Sequence, residues 1–221
     1  MRPGALVDTT VRFDPIKFEV IRSALDEVTE EMAVTLRRSA YSTNVKTRQD
    51  FSCAFFDRQL RPIAQAFTQP VHLGSFVQLI PKAVATYGAD NIEEGDMIVV
   101  NDPHGGGSHL NDVTLFAPVH HAGNLVGYVC ALAHHVDVGG GSPASIGPFQ
   151  EIYQEGIIIP PVKLVRQGQI DPNIFRLIIA QIRSKRVTAG DFRAQVAANK
   201  AGVGRIEALI KRYGVEQFDY Y

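Results

Sequence analysis

The stretch DVTLFAPVHHAGNLVGYVCALAHHVDV, residues 112–138, decides the fold. Two runs rich in β-branched and aromatic residues flank a short polar break, HHAGN, in which Gly123-Asn124 supports a turn. That is the pattern of a β-hairpin. If the chain reverses around residues 120–125, residue 112 falls roughly opposite residue 133, which brings Asp112 close to His134 or His135. Successive strand residues point to opposite faces, so a regular strand turns only one of these histidines toward the aspartate.

Upstream, NDPHGGGSHLNDV (101–113) places Gly105, Gly106 and Gly107 between His104 and His109. An ordered glycine triplet costs backbone entropy, so it serves either a tight surface loop or a close backbone approach. A second glycine-rich loop, GGGSPASIGPF (139–149), follows the second strand. Both loops fall at the same end of the sheet as His109, Asp112 and His134. Through Gly105, Gly106, Gly107, Gly139 and Gly140 they would let backbone N–H groups reach a substrate or an anionic intermediate. Two imidazoles and a carboxylate suffice as protein ligands for a catalytic divalent metal with open positions. Asn101, Asp102 and Asp137 at the same rim could support them. The His-x-x-Asp spacing has little specificity alone, and histidines so placed are often structural. From the residues alone, the two readings stand level. GGGSH lacks the Gly-Lys-Ser/Thr ending of a P-loop, so this segment does not support direct ATP binding.

Around this centre, Asp14-Pro15 starts a helix whose apolar stripe is Phe18, Ile21, Leu25, Val28, Met32 and Leu36, ending near Ser39. FSCAFFD (51–57) reads as a buried strand, with IAQAFTQ (63–69) as its candidate hairpin partner. VHLGSFVQLIPKAVATYG (71–88) reads as a helix interrupted or entered near Pro81 and stopped at Gly88. MIVVNDP (97–103) is a short β-branched strand that runs directly into the glycine loop, and IIIPPVKLV (157–165) is extended, with Pro160 and Pro161 compatible only with an edge. Asp171-Pro172 caps a helix through about Lys185, and a last helix runs from about Asp191 to Gly214. The expected fold class is α+β: a mixed or antiparallel central sheet, a long N-terminal helix and C-terminal helices. One domain over 14–221 follows a loose leader, 1–13. The closing YGVEQFDYY starts a new apolar run and stops, which suggests one part of a longer protein.

The chain is 45% apolar and 20% charged with a net charge of -1, so it lacks the cationic surplus that nucleic acid demands of a partner. No apolar run approaches a membrane span and the N-terminus lacks a signal-peptide core, which leaves the cytoplasm as the default. Cys53 and Cys130, each inside an apolar run, read as small buried hydrophobes of a reducing compartment. Asp50 could serve the site or pair with Arg48 in a loop. Glu151, Gln154 and Glu155 read as a solvated turn, His72 as a structural residue at a helix entry, and His104, His120 and His121 as exposed loop residues.

Seven segments then carry a resemblance: SALDEVTEEMAVTLRRSAYSTNVK, DFSCAFFD, VHLGS, GDMIVVNDPHGGGSHLNDV, AHHVDVGG, EIYQEGIIIPPVKL and GDFRAQVAANKAG. In this order they resemble successive motifs of the hydantoinase B/oxoprolinase family, from about residue 14 to 216. The resemblance implies a subunit of an ATP-dependent enzyme that opens cyclic amides of the hydantoin or 5-oxoproline type. A hydantoinase A-like ATPase partner in a hetero-oligomer would use the ATP. The alternatives are a ketone carboxylase subunit or a truncated, non-catalytic assembly subunit.

It further implies a divalent metal (Mn, Fe or Zn) on His109, Asp112 and His134, there to polarise a carbonyl or bind the activated water. The glycine loops would stabilise the oxyanion, and His135 or Asp137 would orient a ligand or move a proton. The family often has Lys-Glu-Arg where this chain has Lys46-Thr47-Arg48, so an acidic group is missing and Asp50 is its candidate substitute. Members usually continue far beyond the RYG stretch, where this chain stops. It is therefore expected to be the N-terminal part of a normally longer subunit, whether truncated, split or degenerate.

Overall fold

The computed structural model describes residues 13–221, so the leader, Phe13 apart, lies outside the described residues. The strands are β1 (Phe51–Asp57), β2 (Pro62–Gln65), β3 (Met97–Val100), β4 (Asp112–His121), β5 (Asn124–His134), β6 (Val162–Arg166) and β7 (Gln169–Ile170). They form one sheet in the order β2-β1-β5-β4-β3-β6-β7, antiparallel at every pairing. The helices are α1 (Pro15–Ser39), α2 (Thr43–Lys46), α3 (Pro70–Tyr87), α4 (Pro172–Ala180), α5 (Lys185–Tyr213) and α6 (Val215–Tyr220).

The hairpin sits at the centre of the sheet and is buried on both faces. Val129, Ala131 and Ala133 join a core with Met32, Leu36, Phe192 and Val196 from α1 and α5. Tyr128, Cys130 and Leu132 join a second core with Phe76, Leu79 and Ile80 from α3. Double-sided burial explains why β4 and β5 read as continuous apolar runs rather than alternating ones. Both cysteines are free and buried.

The register of this hairpin places the polar residues. Its two-residue turn is Ala122-Gly123, with φ of +49° and +80°, one residue earlier than Gly123-Asn124. Positive φ at both turn positions matches the strand twist. Near the turn His120 faces Leu125, but the register slips between Val119 and His120, so Val119 faces Gly127. Beyond this bulge every pair is offset by one residue, and Asp112 faces His134 rather than residue 133.

Other bounds differ from the sequence reading for identifiable reasons. The α3 helix runs unbroken through Pro81; the carbonyl that this residue cannot serve belongs to the turn of Val77, which is exposed to water. The α4 helix stops at Ala180 and α5 begins at Lys185, because Asp137 Oδ2 accepts the N–H groups of Arg183 and Ser184 and pins the break there. The strand after Pro160-Pro161, β6, lies inside the sheet, with only the two-residue β7 outside it. The second strand of the first hairpin shortens to Pro62–Gln65 after Leu60, whose φ is +63°. The closing apolar run forms α6, and its Phe218 packs edge-on against Phe55 at 6.2 Å.

A Cβ at Gly127 would overlap the Phe56 carbonyl oxygen and the Phe55 ring, so only glycine lets β1 approach β5 at the bulge. Gly127→Ala is expected to cost stability at the upper end of the about 1–3 kcal/mol typical of overpacking. Gly123→Asn, at a turn position with no atom within 4 Å but a φ of +80°, meets only backbone strain that Asn tolerates better than most residues, and is expected to lower the urea midpoint by clearly less. Equal midpoints for the two variants would contradict this account of the register.

Candidate metal centre

Three tethers fix the open end of the hairpin. Asn111 accepts the N–H of His135 on its carbonyl and donates its side-chain amide to the His135 carbonyl, closing the hairpin beyond the last strand pair. The N–H of His134 donates to the carbonyl of Asp50, just before β1. Asn101 donates to the carbonyls of Leu110 and Ile157 and accepts from the N–H of Ile159, which holds the start and end of the glycine loop.

On this frame Asp112 is 1% exposed, and each of its oxygens meets an imidazole. Oδ1 lies 2.8 Å from Nδ1 of His134, and Oδ2 lies 2.9 Å from Nδ1 of His109. The two rings stand edge to face with centroids 4.9 Å apart, and one donor atom from each of the three residues lies within 4.8 Å of the others. Burial alone would raise the Asp112 pKa. The close contacts with His109 and His134, with His72 nearby, outweigh that cost and hold the carboxyl well below the usual carboxylate range. The same contact with Asp112 raises the pKa of His109. Oδ2 is buried and receives no well-aligned hydrogen bond, although the His109 ring stands beside it. Two imidazoles and an ionised, under-satisfied carboxylate fit a divalent cation of the zinc, manganese or iron type.

His109 and His134 open onto a cavity of about 440 Å³, walled also by Asn44, Arg48, Asn111, Glu155 and the 144–146 turn. Glu155 thus reaches the site from what reads in sequence as a solvated turn, while Glu151 and Gln154 form a capping box. Asp50 is drawn in through His72. The His72 ring is 2% exposed, and its Nε2 lies 3.6 Å from Oδ1 of Asp50 and 3.6 Å from Oδ1 of Asp112. His72 is the residue that sequence reasoning passed over. No spacing links position 72 to 112; only the order β1-β5-β4 beneath α3 brings them together.

The remaining candidates do other work. His135 points to the opposite face, its Nε2 2.9 Å from Oε1 of Gln195 and its ring 4.6 Å from that of Phe192. Gln195 donates to the carbonyls of Val113 and Ala131, so its oxygen is the acceptor and the His135 proton sits on Nε2. Asp137 clamps the second glycine loop: Oδ1 accepts from the N–H of Gly139, and both oxygens accept from Arg183. The N–H groups of Gly105, Gly106 and Gly139 already donate within the chain, to Asp102, Pro103 and Asp137. Gly106 lies against the backbone of Leu79 on α3, and Gly139 and Gly140 lie against the carbonyls of Gln181 and Gln154. The close approach that these glycines permit is therefore to the protein's own backbone. Gly107 and Gly140 alone among the five make no such donation among the described residues.

Residues 14–221 match the sequence profile described as hydantoinase B/oxoprolinase. Caprolactamase subunit beta of Pseudomonas jessenii is 39% identical over 205 residues, covering 92% of this chain and 35% of that protein. The crystal structure of the ATP-dependent caprolactamase from the same organism superposes with a TM-score of 0.86 over 93% of this chain and 35% of that one. A 5-oxoprolinase of Dictyostelium discoideum is 36% identical over 99% of this chain but 17% of its own length. A nucleotide-free acetone carboxylase shares the fold at a TM-score of 0.88 and 19% identity, over 94% of this chain and 28% of that one. The chain thus spans about a third or less of the length of the curated relatives it matches.

Burial holds His135 neutral, against the pull of Asp191 and the hydrogen bond to Gln195, so its pKa is lowered. Below about pH 6.5 the unfolded chain takes up a proton there that the folded chain refuses, so stability falls as pH falls. Replacing His135 by Asn, which keeps a donor for Gln195, is expected to flatten the loss between pH 6.5 and 5.5 by up to about 1.4 kcal/mol. Urea midpoints of the metal-free protein at the two pH values measure this; an unchanged slope would contradict it.

Proposed function

We propose, from the premise that the chain belongs to the hydantoinase B/oxoprolinase family, that it is a subunit of an ATP-dependent enzyme opening cyclic amides. The observation that carries the reading is the cluster of His109, Asp112 and His134 at the floor of an open cavity, in a chain similar to caprolactamase and 5-oxoprolinase sequences. The three residues would hold a divalent cation, which when bound supplies a Lewis acid for an amide carbonyl or lowers the pKa of a water. Likeness to acetone carboxylase at 19% identity speaks for the fold alone and does not favour carboxylation. Neither free, buried cysteine demands an oxidising compartment, and among the described residues no helix is long and apolar enough to cross a membrane. We place the protein in the cytoplasm.

The chain's own residues would divide the work simply. Asn44, Arg48 and Asn111 line the cavity and can hold a polar ring by hydrogen bonds. Asp50, partly exposed beside the buried His72, is placed to accept a proton at the edge of the centre. Of the loop glycines, Gly107 and Gly140 make no backbone N–H donation among the described residues, and theirs are the N–H groups that would serve an oxyanion. ATP is consumed by a hydantoinase A-like partner subunit, which phosphorylates the substrate and makes an otherwise unfavourable ring opening proceed.

The test is co-expression with such an ATPase subunit, followed by assay of ring opening on 5-oxoproline, hydantoin and caprolactam with and without ATP. ATP-dependent ring opening of at least one is expected, reduced to background by Asp112→Ala and His134→Ala in complexes that still assemble. Full activity in either variant would contradict the site. A complex that assembles but opens no ring would favour a non-catalytic role.

A further inference from the structure

We infer that His72 is the positioning residue of this centre: its buried imidazole holds Asp112 and Asp50 in place relative to His109 and His134. The inference rests on the metal reading above. Its Nε2 stands equally far, 3.6 Å, from one oxygen of each carboxylate. At that distance neither contact is a full hydrogen bond, and an N–H between two acceptors can close on either. The ring reaches this point from the first turn of α3 and is locked there. Its Nδ1 lies 3.4 Å from Oγ of Ser52, which in turn accepts a hydrogen bond from Oγ1 of Thr68 at 2.9 Å.

The chain of hydroxyls admits two tautomers, one of which serves the carboxylates. Thr68 gives its proton to Ser52, and Ser52 has one proton to place, on His72 Nδ1 at 3.4 Å or on the Gln69 carbonyl at 3.3 Å. When it goes to Nδ1, the histidine proton is on Nε2, between the two carboxylates. Without a cation, Asp112 is served by His109 and His134. If His109 and His134 ligate through the Nδ1 atoms that face Asp112, those atoms present lone pairs and stop serving it. The carboxylate is buried, so the oxygen left over needs another donor. His72 Nε2 is the remaining group facing Oδ1. A donor of this kind keeps a ligating carboxylate oriented, and its loss typically weakens metal affinity by about 10- to 100-fold.

The experiment measures metal affinity of the purified protein by chelator competition, with the Co(II) absorption spectrum as a report on ligand geometry and thermal melting as a check on folding. The variants are His72→Leu, which keeps bulk without a donor, His72→Gln, which restores a donor near the Nε2 position, and Ser52→Ala, which frees the tautomer without touching the ring. Loss of about 10- to 100-fold for His72→Leu is expected, with an altered spectrum, recovery to within a few-fold for His72→Gln, and an intermediate loss for Ser52→Ala. A folded His72→Leu with unchanged affinity and spectrum would overturn the inference while leaving the site intact. If His72→Leu does not fold, unchanged affinity in both other variants has the same force. A wild-type protein that binds no metal would remove the site itself, and the inference with it.

Discussion

A carboxylate buried to 1% exposure must be paired, and Asp112 is paired by two imidazoles that reach it from different elements. Burying an unpaired charge is costly enough that the group would otherwise neutralise. Here the contacts keep it ionised at the end of the central hairpin, where the sheet opens to solvent. The arrangement depends on one slip of register between Val119 and His120. Without that bulge Ala133 would face Asp112, and His134 would turn to the opposite side.

The rest of the molecule holds that end of the hairpin still. The α5 helix carries Asp191, Gln195 and Asn199 on its buried face, four residues apart. Gln195 and Asn199 donate to strand carbonyls of Val113, Ala131 and Leu115, while Asp191 accepts the N–H groups of Tyr41 and Ser42. Those last contacts fix the chain entering α2, which leads to Asn44 and Arg48 at the cavity wall. Asn101 and Asn111 tie the loops by the same means. Buried polar side chains are thus concentrated around the site and bonded mainly to backbone. That pattern rigidifies the frame and leaves His109 and His134 free to face a ligand.

Much of this was legible in the sequence, because the strongest signals were local. The Asp14-Pro15 cap and the apolar stripe gave α1 its bounds, and the paired runs around HHAGN gave the hairpin. Distance along the hairpin then brought Asp112 to within one residue of its partner. The bulge was invisible because no local signal marks it; the close approach of Gly127 to Phe56 beside it lies between strands distant in sequence. The glycine loops show a complementary limit: glycine reports that a backbone approach occurs, but not what is approached. For His72 no local pattern existed at all, since a buried histidine on the first turn of a helix looks like any packed residue. The break between α4 and α5 was missed for a similar reason, being set by Asp137 more than forty positions earlier in the chain.

The central claim is that these three side chains, brought together by the hairpin register, form one cation site. Anomalous X-ray diffraction at the metal absorption edge, from crystals grown with Mn, Fe or Zn, tests it most directly. The account requires a single strong peak bonded to a nitrogen of His109, a nitrogen of His134 and a carboxylate oxygen of Asp112. A peak elsewhere in the chain, or none at this position in metal-soaked crystals whose cavity is open to solvent, would contradict it.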